Sequence, residues 1–252
     1  MTPAPSDFSA KLRRQVTRRV YVKPAPIRLD RTVASITFDD FPQSAWTRGG
    51  AMLKARGWRG TYYAVGGFED GLEEGQACYR AGDLAAIAAE GHEIGCHSFS
   101  HQRAADQTSV DLEADLDRNK AFFHDRIPDR EVTSFAFPYG EASVSSKALI
   151  GQRFACARGI YWGVNHGVAD LSQLRAAGLE RNKWRPEAIE KLIEAAVKTK
   201  GWVIFFTHDV GDDPTPYGAT PDMLDHLFDT LERFNVEVLP VKHALAKAVF
   251  GS

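Results

Sequence analysis

From residue 33 onward, short apolar, β-prone runs alternate with longer segments whose apolar positions recur at helical spacing. The runs predict strands at "SITF" (35 to 38), "TYYAV" (61 to 65), "HEIG" (92 to 95), "SFAF" (134 to 137), "FACA" (154 to 157), "GWVIFF" (201 to 206) and "VEVLP" (236 to 240). Helices are predicted over Asp83 to Glu90, stopped by Gly91, and over Ser109 to Phe123, behind a Ser/Thr cap with Glu113 on the first turn. Two more run from Arg185 to Lys200 and from Pro221 to Phe234, the latter with Thr220 as cap and Pro221 at the first helical position. Strand-then-helix units imply right-handed crossovers and a largely parallel sheet, hence an α/β architecture. Periodicity alone does not say whether the sheet closes into a barrel. No fixed-period repeat or low-complexity tract interrupts the pattern, so the expectation is one domain over residues 33–252 behind an N-terminal arm, residues 1–32.

A chain of 252 residues suits one barrel-sized α/β domain with a sizeable core. Lys and Arg number 31 against 33 Asp and Glu, a formal charge of -2, which gives no overall electrostatic case for nucleic acid. Cys78, Cys96 and Cys156 form no C-x-x-C pair and are odd in number, which suggests neither a disulfide framework nor a cysteine metal site and fits a reducing compartment. No signal-type apolar stretch opens the chain and no run of 18 apolar residues occurs, so a cytoplasmic protein is expected. The segment "KLRRQVTRRVYVK", residues 11–23, holds Lys11, Arg13, Arg14, Arg18, Arg19 and Lys23 and no acid. It reads as a solvated arm packing a few apolar residues on the domain, or as a peripheral contact with anionic lipid headgroups.

The first strand ends in "TFDD", where Asp39 and Asp40 stand side by side. Two neighbouring carboxylates in a low-dielectric site repel, so each needs its own partner. His97 and His101, in "HSFSH" after the third strand, are four residues apart, a spacing at which a helical turn would let two imidazoles converge on one ion. His208, in "FFTHD", follows a late apolar strand. In a parallel α/β fold these strand ends open on one face, where ligands collect. Two histidines and one aspartate leave a position free on a catalytic zinc, the other aspartate can take a proton from water, and His208 can give one to a leaving group. Residue spacing does not assign which aspartate does which.

The ordered set "TFDD", "HSFSH", "FAFPYG" and "FFTHD", spanning about residues 33–245, resembles the polysaccharide deacetylases of carbohydrate esterase family 4, the NodB homology domain. The resemblance implies a distorted (β/α)7-8 barrel in one domain, a divalent transition metal, usually Zn2+, and hydrolysis of N-acetyl groups on N-acetylglucosamine-type sugars. By position it implies that Asp39 is the catalytic base, that Asp40, His97 and His101 hold the metal, and that His208 is the general acid. Tyr139 would help hold the oxyanion through its backbone N-H, with Pro138 and Gly140 shaping that loop.

Three features depart from the family. Phe41 stands where the first motif often has Gly, Ala136 stands where an Arg commonly braces the base, and no Asp-x-x-Asp-Trp segment orients the acid histidine. Arg181, in "LERNKW", is the expected substitute for the missing guanidinium. Trp162, Trp184 and His166 are candidate substrate contacts, with core packing or a turn as their alternative.

The sequence is also similar to bacterial deacetylases of adhesive or biofilm polysaccharides, of the holdfast type. The partners expected are therefore a polysaccharide or lipid-linked oligosaccharide substrate, an anionic membrane touched by the basic arm, and a second copy in a homodimer. The alternatives are an amidase acting on a small-molecule or peptide amide, and a non-catalytic carbohydrate-binding protein.

Overall fold

The computed structural model describes residues 15–251. In chain order the strands are β1 (Pro24–Ile27), β2 (Val33–Phe38), β3 (Thr61–Ala64), β4 (Leu72–Glu73), β5 (Gln76–Ala77), β6 (Glu93–Cys96), β7 (Ser134–Ala136), β8 (Cys156–Arg158), β9 (Gly167–Asp170), β10 (Ala177–Gly178), β11 (Trp202–Thr207) and β12 (Glu237–Val238). β10, β11, β2, β3, β6, β7 and β8 lie side by side in that order, and every pairing among them is parallel. β12 pairs with Val33 and Ala34 along the same edge of β2 whose far end pairs with β3.

The sheet curls into an incompletely closed barrel. Its two ends are bridged by the segment 171–176: Leu174 N–H donates to the Ala157 carbonyl at 2.8 Å, and Ala176 N–H to the Tyr161 carbonyl at 3.0 Å. β2 and β11 are buried along their whole length, which is why they read as continuous apolar runs rather than alternating ones. The helix Pro186–Thr199 buries Ile189, Leu192, Ile193 and Ala196, and the helix Pro221–Arg233 buries Leu224, Leu227, Phe228 and Leu231. These are the one-sided spacings of outer-layer helices. Thr220 accepts from Met223 N–H and Thr108 from Asp111 N–H, so both predicted threonine or serine caps close their helices.

Part of the chain counted above with the arm belongs to the fold. β1 pairs antiparallel with β9, and the buried Lys147 ammonium meets Asp170 at 2.6 Å and the carbonyls of Thr17 and Val20 at 2.8 Å. Lys23 donates to the carbonyls of Gly151 and Phe154, and the Arg18 guanidinium lies 3.6 Å from the centroid of the Tyr161 ring. Two of the six basic residues of that segment are thus engaged on the domain itself, while Lys11, Arg13 and Arg14 lie outside the described residues. Among the described residues no helix is long and apolar enough to cross a membrane.

At the N-terminal ends of the strands Glu93 is fully buried, and burial raises its carboxyl above the ordinary value. It accepts from Thr61 Oγ1 at 2.9 Å, Ser134 Oγ at 2.6 Å and the Lys242 amide at 2.8 Å, tying β3, β6, β7 and the helix Val241–Leu245 together. Glu93→Ala orphans these donors in the core and is expected to cost about 3 kcal/mol, whereas Glu93→Gln costs less, because its amide oxygen still accepts from Thr61 and the Lys242 amide while its NH2 can donate to the rotatable Ser134 hydroxyl. Urea unfolding of the three proteins reads this difference.

Candidate active site

Asp39 and Asp40 stand at the end of β2, His97 just past β6, and His208 just past β11, all at the C-terminal mouth of the sheet. Asp39 N–H donates to the Thr207 carbonyl at 2.9 Å, which pins the end of β2 against β11. Asp40 then turns into the left-handed region at φ 57°, followed by Phe41 at φ 68°. Such a conformation is costly for residues with a Cβ, of order 1–3 kcal/mol each, and clusters at functional sites. It also explains the family's frequent Gly at the place of Phe41. Here the Phe41 ring is fully buried and stacks on Tyr79 at 4.8 Å, so it anchors the turn from within the core rather than altering the floor of the cleft.

The histidines converge through a loop, not the helical turn their spacing suggests. Residues 97–101 are irregular, with Ser98 at φ 65° and His101 at φ 54°. The buried Asp115, on the helix Ser109–Arg126, accepts from the amides of Phe99 at 2.9 Å and Ser100 at 3.1 Å and from the Ser100 hydroxyl at 2.6 Å. This carboxylate substitutes for the missing helical hydrogen bonds and fixes the loop. Nothing in the sequence ties it to "HSFSH", since it acts from a separate helix.

His97 Nε2 lies 3.3 Å and His101 Nε2 2.9 Å from Asp40 Oδ1, and the three ligand atoms fall within 4.8 Å of one another. His97 Nδ1 stands 2.8 Å from the Ala136 carbonyl. That acceptor takes the Nδ1 proton and leaves the Nε2 lone pair facing the carboxylate. A lone pair facing a buried, otherwise unpartnered carboxylate oxygen is repulsive unless a cation lies between them, and Asp40 Oδ1 has no hydrogen-bond partner among the described residues. Burial pushes the Asp40 carboxyl up, but His101, His97 and the charge of His208 outweigh it and hold the group well below the usual range. The donor set of two imidazoles and one carboxylate therefore fits a zinc-like divalent ion with open positions.

The Arg181 expectation is corrected. Arg181 is half exposed and pairs with Asp213 and the Pro214 carbonyl. The guanidinium on Asp39 is that of Arg158, which is buried and ion-paired with Asp39 Oδ1. Its ring neighbours are Tyr63 and Phe206, each 4.9 Å away. Burial pushes Arg158 down to about 9, which leaves it charged at neutral pH. Arg158 on β8 is the register partner of Ala136 on β7, so the guanidinium missing from the third motif enters from the adjacent strand at the same level.

His208 Nε2 lies 3.6 Å from Asp40 Oδ2, and its Nδ1 lies 3.2 Å from the Tyr217 carbonyl. A backbone carbonyl thus orients the imidazole in place of an acidic side chain. The neighbouring Asp209 does not serve it: Asp209 accepts from the Thr215 amide at 2.8 Å and from its hydroxyl at 2.5 Å, shaping the loop that carries Tyr217.

A cleft of about 300 Å3 opens over these groups. Tyr139 at φ 58° and Gly140 line one side, with Arg103 stacked 4.6 Å from the Tyr139 ring, while Pro138 is buried beneath the same turn. The β4–β5 hairpin contributes Glu73, Glu74 and Gln76, and the far wall holds Glu180, Lys183 and Tyr217. These hairpin and wall residues carry no motif that a sequence reading could find. Trp184 is outside the lining, packed against the core and edge-on to His226 at 5.7 Å, while Trp162 and His166 line a separate cavity.

Comparison with known proteins agrees with this geometry. A family model for polysaccharide deacetylase matches residues 27–152. No curated protein matches the chain in sequence. Among solved structures, the fold is similar to a family 4 acetyl xylan esterase from Clostridium thermocellum in complex with a cobalt ion, at 19% identity and TM-score 0.60 over 85% of this chain and 91% of that one. It is similar to the chitin deacetylase of Colletotrichum lindemuthianum at 16% identity and TM-score 0.62, covering 86% and 89%. It is also similar to a CE4 family pseudoenzyme of Bacillus anthracis at 13% identity and TM-score 0.56, covering 86% and 66%.

Proposed function

The chain belongs to the polysaccharide deacetylase family, and from that premise we propose that it is a metal-dependent N-deacetylase acting on N-acetylglucosamine-type residues of an exopolysaccharide or its lipid-linked precursor. The observation that carries the reading is the convergence of a cation-binding triad, an arginine-braced carboxylate and a third, carbonyl-oriented imidazole in one cleft.

In this reading Asp40, His97 and His101 hold the divalent ion. Such an ion supplies Lewis acidity to the acetyl carbonyl and to water. Asp39 takes a proton from the attacking water, and Arg158 keeps that carboxylate oriented and its charge compensated. His208, its Nδ1–H given to the Tyr217 carbonyl, delivers a proton from Nε2 to the amide nitrogen as the C–N bond breaks. Acetate and a free amine leave. The left-handed turn at Tyr139 lines the same cleft, where the Tyr139 backbone N–H can face the developing oxyanion, the Gly140 N–H being given to the Phe137 carbonyl.

Membership in the family does not by itself guarantee turnover, since a structurally similar protein is a pseudoenzyme. Acetate release from N-acetylglucosamine oligomers, with and without added zinc, decides it. Release that requires zinc and vanishes in Asp39→Ala is expected. Zinc and glycan binding without release from oligomers or from simple amides would leave a sugar-binding protein, and release from simple amides alone would leave an amidase.

A further inference from the structure

Beside the cleft, one face of the molecule combines exposed apolar side chains with charge of a single sign. Tyr21, Ile160, Trp162 and Val168, each 44–57% exposed, stand around a hollow of about 840 Å3. They are four of the thirteen large apolar side chains exposed among the described residues, so their meeting at one hollow differs from the single, scattered exposure that any protein surface shows. Val16 and Val20, also exposed, belong to the same short segment as Tyr21. The Tyr161 ring does not join them, because Arg18 covers its face.

The chain as a whole is slightly acidic, but the stretches that build this face are not. No acid occurs between Asp7 and Asp30, and between Glu141 and Glu180 the only acid is Asp170, which is buried and paired with Lys147 at 2.6 Å. These stretches bring Arg18 and Arg175 to the hollow, and the exposed Arg19 follows Arg18 in sequence. Arg175 is exposed and donates to the Trp162 carbonyl at 3.4 Å, which sets a cation beside the indole. The C-terminal half of the helix Pro186–Thr199 forms the remaining side, and residues 191–200 add Lys191, Lys198 and Lys200 against Glu194. Tryptophan and tyrosine settle at the head-group level of a bilayer, aliphatic side chains enter just below it, and lysine or arginine beside them meets lipid phosphates. The hollow between the apolar side chains leaves room for a head group.

We propose that this face, with Trp162, Tyr21, Ile160 and Val168 at its centre and Arg175 beside them, seats the protein on an anionic phospholipid bilayer. Ile160 also lines the cleft and packs on the Tyr139–Gly140 turn, where a Cβ on Gly140 would meet its side chain at 2.3 Å. The mouth of the cleft therefore lies next to the docked face, where it meets sugars held close to a membrane by a lipid anchor. The docking stands without the hydrolytic reading of the cleft; its use for a lipid-linked substrate rests on that reading.

The test is co-sedimentation of the full chain with vesicles of phosphatidylcholine, alone or mixed equally with phosphatidylglycerol. Binding to the anionic vesicles is expected to be about tenfold tighter or more, and to weaken as salt rises. Trp162→Ala and Arg175→Glu, made separately, are each expected to lower it about fivefold or more, whereas Val110→Ala, at an apolar residue exposed on the helix Ser109–Arg126, leaves it within about twofold. Brominated phosphatidylglycerol is expected to quench tryptophan fluorescence in the wild type and to lose most of that effect in Trp162→Phe. Both substituted side chains are exposed, and thermal unfolding of each variant checks that the fold is kept. Vesicle binding without preference for the anionic lipid, or anionic binding that survives both substitutions and so belongs to the basic arm alone, overturns the proposal. Anionic binding that both substitutions weaken, in a protein releasing no acetate, removes the hydrolytic reading and leaves the docking face in place; acetate release without vesicle binding does the reverse.

Discussion

Arg158→Ala is expected to lower acetate release by about a hundredfold or more, and adding Ala136→Arg to the same chain is expected to recover most of the loss. Asp39 and Arg158 are both buried, and removing one partner of a buried ion pair leaves an uncompensated charge worth about 3–5 kcal/mol. At about 1.4 kcal/mol per tenfold, a penalty of that size falls on the orientation and charge of the group that must take the proton. The recovery follows from register. Ala136 and Arg158 are paired across parallel strands, so their side chains leave the sheet on the same face, one strand apart.

Arg158→Lys separates charge from geometry: it keeps a cation but lacks the fork that fits a carboxylate, and an intermediate rate is expected. Thermal unfolding of each variant, together with its zinc content, distinguishes a damaged site from a damaged fold, because Arg158 is not among the metal-binding atoms. Full turnover in a folded Arg158→Ala protein would show that the ion pair serves the core alone. Arg181→Ala, by contrast, removes a surface pair with Asp213 and a hydrogen bond to the Pro214 carbonyl and is expected to leave turnover within twofold.

The error over Arg181 shows where sequence reasoning stops. The strand "FACA" is found by its apolar run, yet the run ends at Ala157, one residue before the guanidinium that matters. A charged residue closing an apolar strand looks like a boundary. Only the curl of the sheet, which brings the end of β8 toward that of β2, turns it into a site residue. The long buried strands and the capped helices are legible because burial on both faces and cap chemistry leave local marks. β1, β4, β5 and β10 leave none, whereas the two-residue β12 lies within the predicted run 236–240. Pro24 and Pro26 disguise β1, and they are tolerated because β1 belongs to a two-stranded ladder at the margin of the fold. The triad itself is legible as three residue types at strand ends, but the means of holding it is not. Asp115, the Ala136 carbonyl and the Tyr217 carbonyl act through contacts that no motif encodes. Two of the three are backbone atoms, indifferent to the identity of the side chain.

The second large effect separates the ion from the proton donor. Dialysis against a strong chelator followed by titration with zinc is expected to show one ion per chain in the wild type, and no stoichiometric ion in Asp40→Ala or His101→Ala, with acetate release down by three orders of magnitude or more in both. Each substitution removes one of three ligands from a set that neither His208 nor Asp39 replaces, since the cluster within 4.8 Å contains only Asp40, His97 and His101 among the described residues. His208→Ala is expected to keep the ion and still lose turnover by about 10²–10⁴-fold, the usual worth of a positioned proton donor. Asp115→Ala tests the scaffold between these cases. It touches neither ion nor substrate, but without it the amides of Phe99 and Ser100 lose their acceptor and the loop carrying His101 loosens. Zinc affinity should fall roughly 10–100-fold, as for other residues that hold ligands in place, with activity returning at high zinc. If His208→Ala lost the ion, or Asp40→Ala kept it, the division of labour around that carboxylate would be wrong, because Oδ1 faces the two ligand imidazoles and Oδ2 the third.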